Sequence, residues 1–146
     1  MRKMLLGSLM TLISITFTIA SNNVEGKWRT IDEETGKIKS IVEITRKNDK
    51  LYGTITKVFD DNPNFDPICE HCNDQLKNKK IVGMQIINGL SIEKNNKWVG
   101  NKGILDPENG KYYNVKIWID KNESNILHVR GYIAFLFRTQ TWQRER

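Results

Sequence analysis

Short runs of alternating hydrophobic and polar residues dominate the chain after its first twenty residues. The clearest run covers residues 111–119, where Val115 and Ile117 share one face. A period of two is typical of a half-buried β-strand. Similar runs recur at fairly regular spacing, and helical periodicity is scarce. The predicted strands cover residues 24–31, 38–48, 51–59, 80–87, 97–104, 111–119, 126–132 and 134–143.

The breaks between these runs have the composition of tight turns. Residues 32–36 end in a glycine, and residues 106–110 read Asp-Pro-Glu-Asn-Gly, which is typical of a type I turn. Short connections make neighbouring strands antiparallel. Eight strands in this order leave two exposed edges unless the sheet closes. We therefore predict an all-β, eight-stranded antiparallel up-and-down barrel, with a β-sandwich as the alternative.

One connection is much longer than the others. Residues 60–79 contain Pro63, Pro67 and both cysteines of the chain, Cys69 and Cys72. Connections of this length in a compact domain are usually functional or partly disordered.

The first twenty residues have the organisation of a signal peptide. Arg2 and Lys3 precede an uncharged apolar stretch over residues 4–19, and small residues end it at Ala20. We predict cleavage, which leaves residues 21–146 as a single barrel domain with no membrane span, periplasmic or secreted. A retained anchor is the alternative, although the apolar stretch is short for a membrane span.

Composition narrows the classes of function. The chain is 38% hydrophobic and carries a formal charge of +6. Without Arg2 and Lys3, 21 of the 23 basic residues remain against 17 acidic ones, so the charge falls to about +4. We therefore expect a folded domain, no multidomain enzyme and no nucleic-acid partner on the basis of charge.

The Cys69-Glu-His-Cys72 segment has three interpretations. A structural disulfide would close a very short loop and stabilise the chain by about 2 kcal/mol. A redox pair would require thioredoxin-like surroundings, which this antiparallel context does not provide. A zinc site would need four ligands, and beyond His71 the only other histidine is His128. We favour the disulfide.

Two polar faces occur in the last two predicted strands. They consist of His128, Arg130 and Tyr132 in one strand and Arg138, Gln140 and Trp142 in the next. If these faces point inward, they form a cationic patch suited to an anionic headgroup or a carboxylate. If they point outward, they form ordinary cross-strand pairs in solvent.

The start of the domain carries the segment Gly26-Lys27-Trp28. In a closed barrel the first and last strands are neighbours, which would bring Trp28 close to the last strand and to Trp142 within it. We predict that the guanidinium of Arg138 stacks on the indole of Trp28.

Motifs of catalysis are missing from the sequence. It contains no glycine-rich phosphate loop, no Gly-x-Ser-x-Gly segment and no His-Glu-x-x-His segment. Its carboxylates fall in turns without an evident pair. We predict no catalytic residue, metal ligand or cofactor, and we favour a non-catalytic protein.

Eight short motifs follow one another along the chain. They are Gly26-x-Trp28, Asp32-x-x-Thr35-Gly36, Leu51-Tyr52-Gly53-x-Ile55, Cys69-x-x-Cys72, Ile81-Val82-Gly83, Ile104-Leu105-Asp106-Pro107-x-Asn109-Gly110-Lys111-x-Tyr113, Val129-Arg130-Gly131-Tyr132-Ile133 and Arg138-Thr139-Gln140-x-Trp142. As an ordered set these motifs are specific, and the chain that carries them resembles a family of exported bacterial proteins known as domain-of-unknown-function family 2147 (DUF2147). Phe137 stands where that family has glycine before the arginine of the last motif. The resemblance implies no binding or catalytic residue.

The two ends of the domain also resemble the lipocalin-like (calycin) barrels. Gly26-x-Trp28 at the start and an arginine near the end, here Arg138, carry this looser resemblance. It implies a barrel with the tryptophan beneath its floor and the arginine across it. Such barrels usually bind small molecules.

These observations lead to three hypotheses about function. The first is an exported barrel that binds a small amphipathic molecule with an anionic end, using Arg130, Arg138, Gln140, Tyr132 and His128, with residues 60–79 as a lid. The second is a non-catalytic structural or protein-interaction module of the periplasm. The third is thiol-disulfide activity at the cysteine pair.

Overall fold

The computed structural model describes residues 23–146, so the predicted signal peptide, residues 1–20, lies outside the described residues. Eight strands make up almost all of the regular structure. They are β1 (Gly26–Ile31), β2 (Ile38–Lys47), β3 (Lys50–Val58), β4 (Gln85–Glu93), β5 (Lys97–Asp106), β6 (Lys111–Ile119), β7 (Ile126–Ile133) and β8 (Leu136–Arg144). Single 3-10 turns occur at Asp74–Leu76 and Lys94–Asn96.

The sheet closes into a barrel. Every strand pairs antiparallel with the next one in sequence, and β1 pairs with β8 through Trp28 opposite Arg144 and Arg29 opposite Gln143. Closure removes both exposed edges. The predicted up-and-down barrel is therefore confirmed over the β-sandwich.

One predicted strand is displaced. The sequence predicted a strand over residues 80–87, whereas β4 covers Gln85–Glu93. The apolar segment before β4 belongs to the long connection instead, where the Ile81 amide donates to the Pro67 carbonyl at 2.9 Å. Gly89 is the extra residue of a bulge between Asn88 and Leu90.

The barrel has two different ends. At one end lie residues 23–25 and the turns at 48–49, 94–96 and 120–125, and we call this the sealed end. At the other end lie the turns at 32–37, 107–110 and 134–135 and the connection 59–84, and we call this the open end.

Apolar side chains fill the barrel interior from the sealed end to about one layer of side chains below the open end. Cross-strand pairing places them on one inner face; for example, Val42 lies opposite both Trp28 and Ile55. A filled interior leaves no deep central pocket in this part of the barrel. The fully buried side chains include Trp28, Val42, Ile44, Leu51, Ile87, Leu90, Ile117 and Leu127.

The long connection is folded onto the barrel rather than free. Its middle pairs with a segment near its end, since the Cys69 amide donates to the Lys79 carbonyl at 2.8 Å. The sulfur of Cys69 lies 3.1 Å from the carbonyl oxygen of Pro107 in the β5–β6 turn. These contacts anchor the middle of the connection to one side of the open end.

Candidate functional site

The inner face of β8 runs from a buried tryptophan to an exposed arginine. Trp142 is buried, Gln140 is partly buried, and Arg138 lies at the open end with its side chain 71% exposed. Because alternate residues of a strand share a face, Arg138 and Gln140 have the inward orientation of Trp142. The indole nitrogen of Trp142 donates to the side-chain oxygen of Gln140 at 3.2 Å.

A layer of polar side chains lines the barrel just inside the open end, and we call it the mouth layer. Its members, Thr30, Ser40, Tyr113, Arg138 and Gln140, all have inward orientation by strand pairing. The hydroxyls of Thr30 and Ser40 lie 2.7 Å apart. The mouth layer thus replaces an apolar interior with hydrogen-bonding groups that small polar molecules can reach.

The charge of Arg138 is balanced by a carboxylate from the neighbouring turn. Its Nε donates to the Glu33 carboxylate at 3.1 Å, and one terminal nitrogen donates to the same oxygen. The Glu33 carboxylate raises the pKa of the Arg138 guanidinium, and Asp106 and Glu34 add to that effect. Since both partners of the ion pair reach solvent, another anion can compete for this guanidinium.

The predicted contact between Trp28 and Arg138 is wrong. Arg144 occupies the place we expected for Arg138, with its guanidinium carbon 4.2 Å from the ring centre of Trp28. Arg144 pairs directly with Trp28 across the barrel seam, whereas Arg138 lies six residues further along β8. Gly26, at the start of β1, lies beside the same Arg144 guanidinium. The sequence analysis did not consider Arg144 as the partner of Trp28, because Arg144 lies beyond the predicted last strand, residues 134–143.

The polar face of β7 points outward. His128, Arg130 and Tyr132 lie opposite Trp118, Lys116 and Asn114 of β6, while the intervening Val129 is buried. The three candidates therefore cannot share a pocket inside the barrel with Arg138 and Gln140. The polar face of β8 therefore points into the barrel, whereas the polar face of β7 points away from it.

The outward face forms a cation–aromatic stack on the barrel wall. The guanidinium of Arg130 lies 5.1 Å from the ring of Trp118 and 4.5 Å from the ring of Phe137. Its Nε also donates to the Thr139 hydroxyl at 2.7 Å. Tyr132 borders a shallow groove of about 380 Å³ on the same wall.

His128 is held by a carboxylate at the sealed end. Its Nε2 lies 2.9 Å from an oxygen of Asp120, and its ring lies 5.2 Å from that of Trp118. The hydrogen bond with His128 lowers the pKa of the Asp120 carboxyl group, and the backbone amides of Asn122 and Glu123 contribute further. His128 therefore stabilises the β6–β7 turn.

Cys69 and Cys72 lie at disulfide-bond distance, with 2.00 Å between their sulfur atoms. They are 0% and 2% exposed, so solvent hardly reaches either sulfur. This burial agrees with a structural disulfide better than with thiol exchange, which requires access to a sulfur. Among the side chains that the structure describes, which exclude that of Asp74, no cluster of three or more His, Cys, Asp or Glu is placed to hold a metal ion.

Sequence inspection missed an exposed apolar hairpin at the open end. Ile133 pairs with Leu136 around the two-residue tip, Ala134-Phe135. The side chains of Ile133, Phe135, Leu136 and Phe137 are 57–88% exposed. The signal was present as five consecutive apolar residues, 133–137, in a region of alternating pattern, but the last four of them were included in the predicted strand over residues 134–143.

Other members of the open end had no signal in the sequence. Glu33 lies in a turn more than one hundred residues from Arg138, and Thr30 and Ser40 are ordinary strand residues. Their proximity depends on barrel closure and register.

Comparisons with known proteins agree with this architecture. A solved structure entitled "Protein HP1028 from the human pathogen Helicobacter pylori belongs to the lipocalin family" superposes with a TM-score of 0.71 at 21% identity, over 86% of this chain and 85% of that chain. No curated protein sequence matches the chain. No helix among residues 23–146 is long and apolar enough to cross a membrane. The family described as "Uncharacterized protein conserved in bacteria (DUF2147)" matches residues 26–144, and the chain therefore belongs to it.

Proposed function

We propose that this protein is an exported barrel that binds a small amphipathic molecule with an anionic end at its open end. Arg138 receives the anionic group, and Gln140 offers a hydrogen bond beneath it. The apolar part of the ligand lies against Ile133 and Leu136. The proposal includes export to the periplasm or the cell exterior, on the strength of the signal-like residues 1–20.

The observation that carries this proposal is the position of Arg138. It is an inward-oriented cation in the mouth layer, at the end of the barrel that the Trp28–Arg144 contact does not seal. Ile133 and Leu136 have the same inward orientation and are exposed beside it. A cation next to exposed apolar surface matches an amphipathic anion in both of its parts.

The filled interior determines how such a ligand would lie. With fully buried Trp28 and Leu127 below, the ligand enters the mouth layer and does not descend to the sealed end. Its anionic group replaces Glu33 as the partner of Arg138, because Glu33 lies in the exposed β1–β2 turn and can rotate away.

Two variants test whether a ligand anion replaces Glu33 at Arg138, and they are expected to change the affinity for the ligand in opposite directions. The probe is a dansyl-labelled undecanoic acid, and its methyl ester is the neutral control. Arg138→Gln should weaken binding of the acid by about 10- to 150-fold, since a charge-assisted contact of about 1.5–3 kcal/mol is lost. Glu33→Gln should strengthen it, because the competing carboxylate is gone.

The ester should bind equally to all three proteins. Arg130→Gln is the matched control, because it removes an arginine from the outer wall and should leave the affinity for the acid unchanged. Loss of binding in Arg130→Gln, or equal affinity of the acid for Arg138→Gln and the unsubstituted protein, would refute the proposed site. Absence of any binding by the acid would refute the proposed function.

A further inference from the structure

Gly131 leaves the inner face of β7 without a side chain just inside the open end. The two inward positions before it hold Leu127 and Val129, which are both buried. The cross-strand partner of Gly131 on β8 is Arg138. A glycine inside a strand often marks a place where a ligand approaches the backbone closely. A ligand group can therefore lie against the β7 backbone beside the Arg138 side chain.

Tyr113 borders the same position from the other neighbouring strand. It lies on the inner face of β6, two residues before Val115, which is buried and pairs with Gly131. A Cβ atom on Gly131 would lie 3.8 Å from the Cβ atom of Tyr113. The side chains of Tyr113 and Arg138 thus flank Gly131 from its two sides.

The hydrogen bonds of Asn109 determine what the Tyr113 hydroxyl can do. The side-chain nitrogen of Asn109 donates to the Tyr113 oxygen at 2.8 Å and to the Asp106 carboxylate at 2.9 Å. The side-chain oxygen of Asn109 accepts the Lys111 amide at 2.9 Å, which agrees with this orientation of the amide group. Because the Tyr113 oxygen is the acceptor in its bond with Asn109, its own proton can be donated to a third group.

Asp106 anchors this chain of hydrogen bonds in the β5–β6 turn. Its carboxylate accepts the backbone amide of Glu108 at 2.9 Å, and its backbone carbonyl accepts the amide of Gly110 at 2.8 Å. The turn therefore fixes Asp106, and Asp106 fixes Asn109. Together they hold the Tyr113 hydroxyl in place before a ligand binds, which lowers the entropic cost of binding.

We propose that Tyr113 is the second donor to the anionic group of the ligand, which lies over Gly131 between the Tyr113 hydroxyl and the Arg138 guanidinium. This inference rests on the proposed function, since it concerns the same ligand. Donors on two sides suit the two oxygens of a carboxylate. Asp106 and Asn109 are positioning residues, because they act through Tyr113.

The charge of the open end favours an anionic group with a single charge. Glu33, Asp106 and Glu34 all raise the pKa of the Arg138 guanidinium, so three carboxylates surround the one cation of the site. A second negative charge on the ligand would be repelled by them. We therefore expect a carboxylate rather than a phosphate monoester. The wider surroundings are acidic as well, with nine acidic and four basic residues in the segments 32–37, 59–84 and 107–110.

Removal of one oxygen atom tests the role of Tyr113. Tyr113→Phe should weaken binding of the dansyl-labelled undecanoic acid by about tenfold or more, because a hydrogen bond to a charged group is lost. Tyr112→Phe is the matched control. Tyr112 is the preceding residue of β6, lies on the outer face and is 46% exposed, so this variant should leave the affinity unchanged. Fluorescence titration measures both.

Addition of one methyl group tests the place of the anionic group. Gly131→Ala should keep the fold, because its Cβ atom would make only an ordinary contact with Tyr113. The urea midpoint should therefore not fall. The affinity for the acid should fall by about tenfold or more, because the methyl group takes the place of the carboxylate.

A double-mutant cycle tests whether Asn109 acts through the hydroxyl. Asn109→Ala should weaken binding of the acid in the unsubstituted protein but have no further effect in Tyr113→Phe. A merely structural role of Asn109 would weaken binding in both. Competition tests the class of anion, since undecyl phosphate should displace the dansyl-labelled acid less well than undecanoate does.

These results separate the inference from the proposed function. If Arg138→Gln weakens binding of the acid while Tyr113→Phe and Gly131→Ala do not, the inference is wrong and the proposed function stands. If the acid does not bind the unsubstituted protein, both are wrong. Equal losses in Tyr113→Phe and Tyr112→Phe would also overturn the role of Tyr113, and equal displacement by undecyl phosphate would overturn the preference for a carboxylate.

Discussion

Arg144 and Arg138 share the inner face of one strand but occupy opposite ends of the barrel. Arg144 is partly buried, stacks on Trp28 and donates to the backbone carbonyls of Glu25, Asn23 and Ser124 at 2.7–3.4 Å. Burial lowers the pKa of its guanidinium. Arg138 is mostly exposed, and its hydrogen-bond partner is an exposed side-chain carboxylate.

The two arginines differ in the acceptor groups that would lose a hydrogen bond if the guanidinium were removed. Backbone carbonyls at the sealed end cannot turn away, so they need the Arg144 donors or water. The Glu33 carboxylate can rotate into solvent, so its pair with Arg138 can be exchanged for another anion at small cost. One cation therefore stabilises the fold, and the other is available for binding.

The largest effect is expected from Trp28→Ala at the sealed end. Trp28 is 0% exposed, and its indole nitrogen donates to the Val24 carbonyl at 2.9 Å. Its truncation leaves a large cavity and removes the ring on which Arg144 stacks, so the free energy of unfolding should fall by about 4 kcal/mol. Urea denaturation followed by circular dichroism measures this. Trp28→Phe should lower the free energy of unfolding clearly less than Trp28→Ala. Equal losses would mean that packing of the ring does not dominate the stability of the sealed end.

At the open end, Gly110→Ala should be the most damaging small change. Gly110 has φ of 71°, and a Cβ atom there would overlap the carbonyl oxygen of His71 in the connection 59–84. We expect a loss of about 3 kcal/mol from strain and forced displacement.

Gly36→Ala is the control for that change. Gly36 has nearly the same φ, 70°, but nothing lies within 4 Å of its would-be Cβ. Gly36→Ala should lower the free energy of unfolding by only about 1 kcal/mol, because it adds the strain of a left-handed backbone but no steric overlap. Similar losses for the two variants, in thermal or urea unfolding, would show that the connection is not fixed against the β5–β6 turn.

The two arginines themselves are compared by the same substitution. Arg144→Gln should lower the free energy of unfolding by about 2 kcal/mol, since it removes several hydrogen bonds and the contact with Trp28. Arg138→Gln should change it by less than about 0.5 kcal/mol. Urea denaturation of both proteins under one condition checks this, and a reversed order would end the distinction between the two ends.

The fold could be predicted from the sequence because its signals are local. The alternation in residues 111–119 and the turn at 106–110 each depend on neighbouring residues alone, and both elements were confirmed. β4 was displaced because Ile81, Val82 and Met84 make residues 80–84 resemble a strand. These residues belong to the connection, where Ile81 and Met84 pack against the core and Val82 is exposed. Local pattern does not separate such a loop segment from a strand.

The site was less predictable because it depends on register between distant strands. The sequence identified Arg138 and Gln140 but did not define whether the β7 or the β8 polar face enters the barrel. It matched Trp28 with Arg138, although the seam pairs Trp28 with Arg144. A shift of strand register moves such partners by several residues without changing either strand's own pattern.

The smallest effect concerns pH and the turn that supports Arg144. Arg144 donates to Ser124, whose turn is held by Asp120 through the amides of Asn122 and Glu123 and through His128. The folded protein lowers the pKa of the Asp120 carboxyl below its ordinary value of about 3.9. Because this pKa is lower in the folded than in the unfolded chain, the ionised carboxyl stabilises the folded protein when the pH is above the ordinary pKa. This stabilisation is lost as the pH falls through the folded-state pKa.

Asp120→Asn should therefore lose less stability than the unsubstituted protein between pH 6 and pH 3, by a small margin in the urea midpoint. The cause can be separated from the rest of the titration by measuring the Asp120 carboxyl pKa by NMR. In His128→Leu that pKa should move up toward its ordinary value, because the largest contribution to the depression is removed. An unchanged pKa would assign the depression to the turn amides, and His128 would then have no part in holding the sealed end.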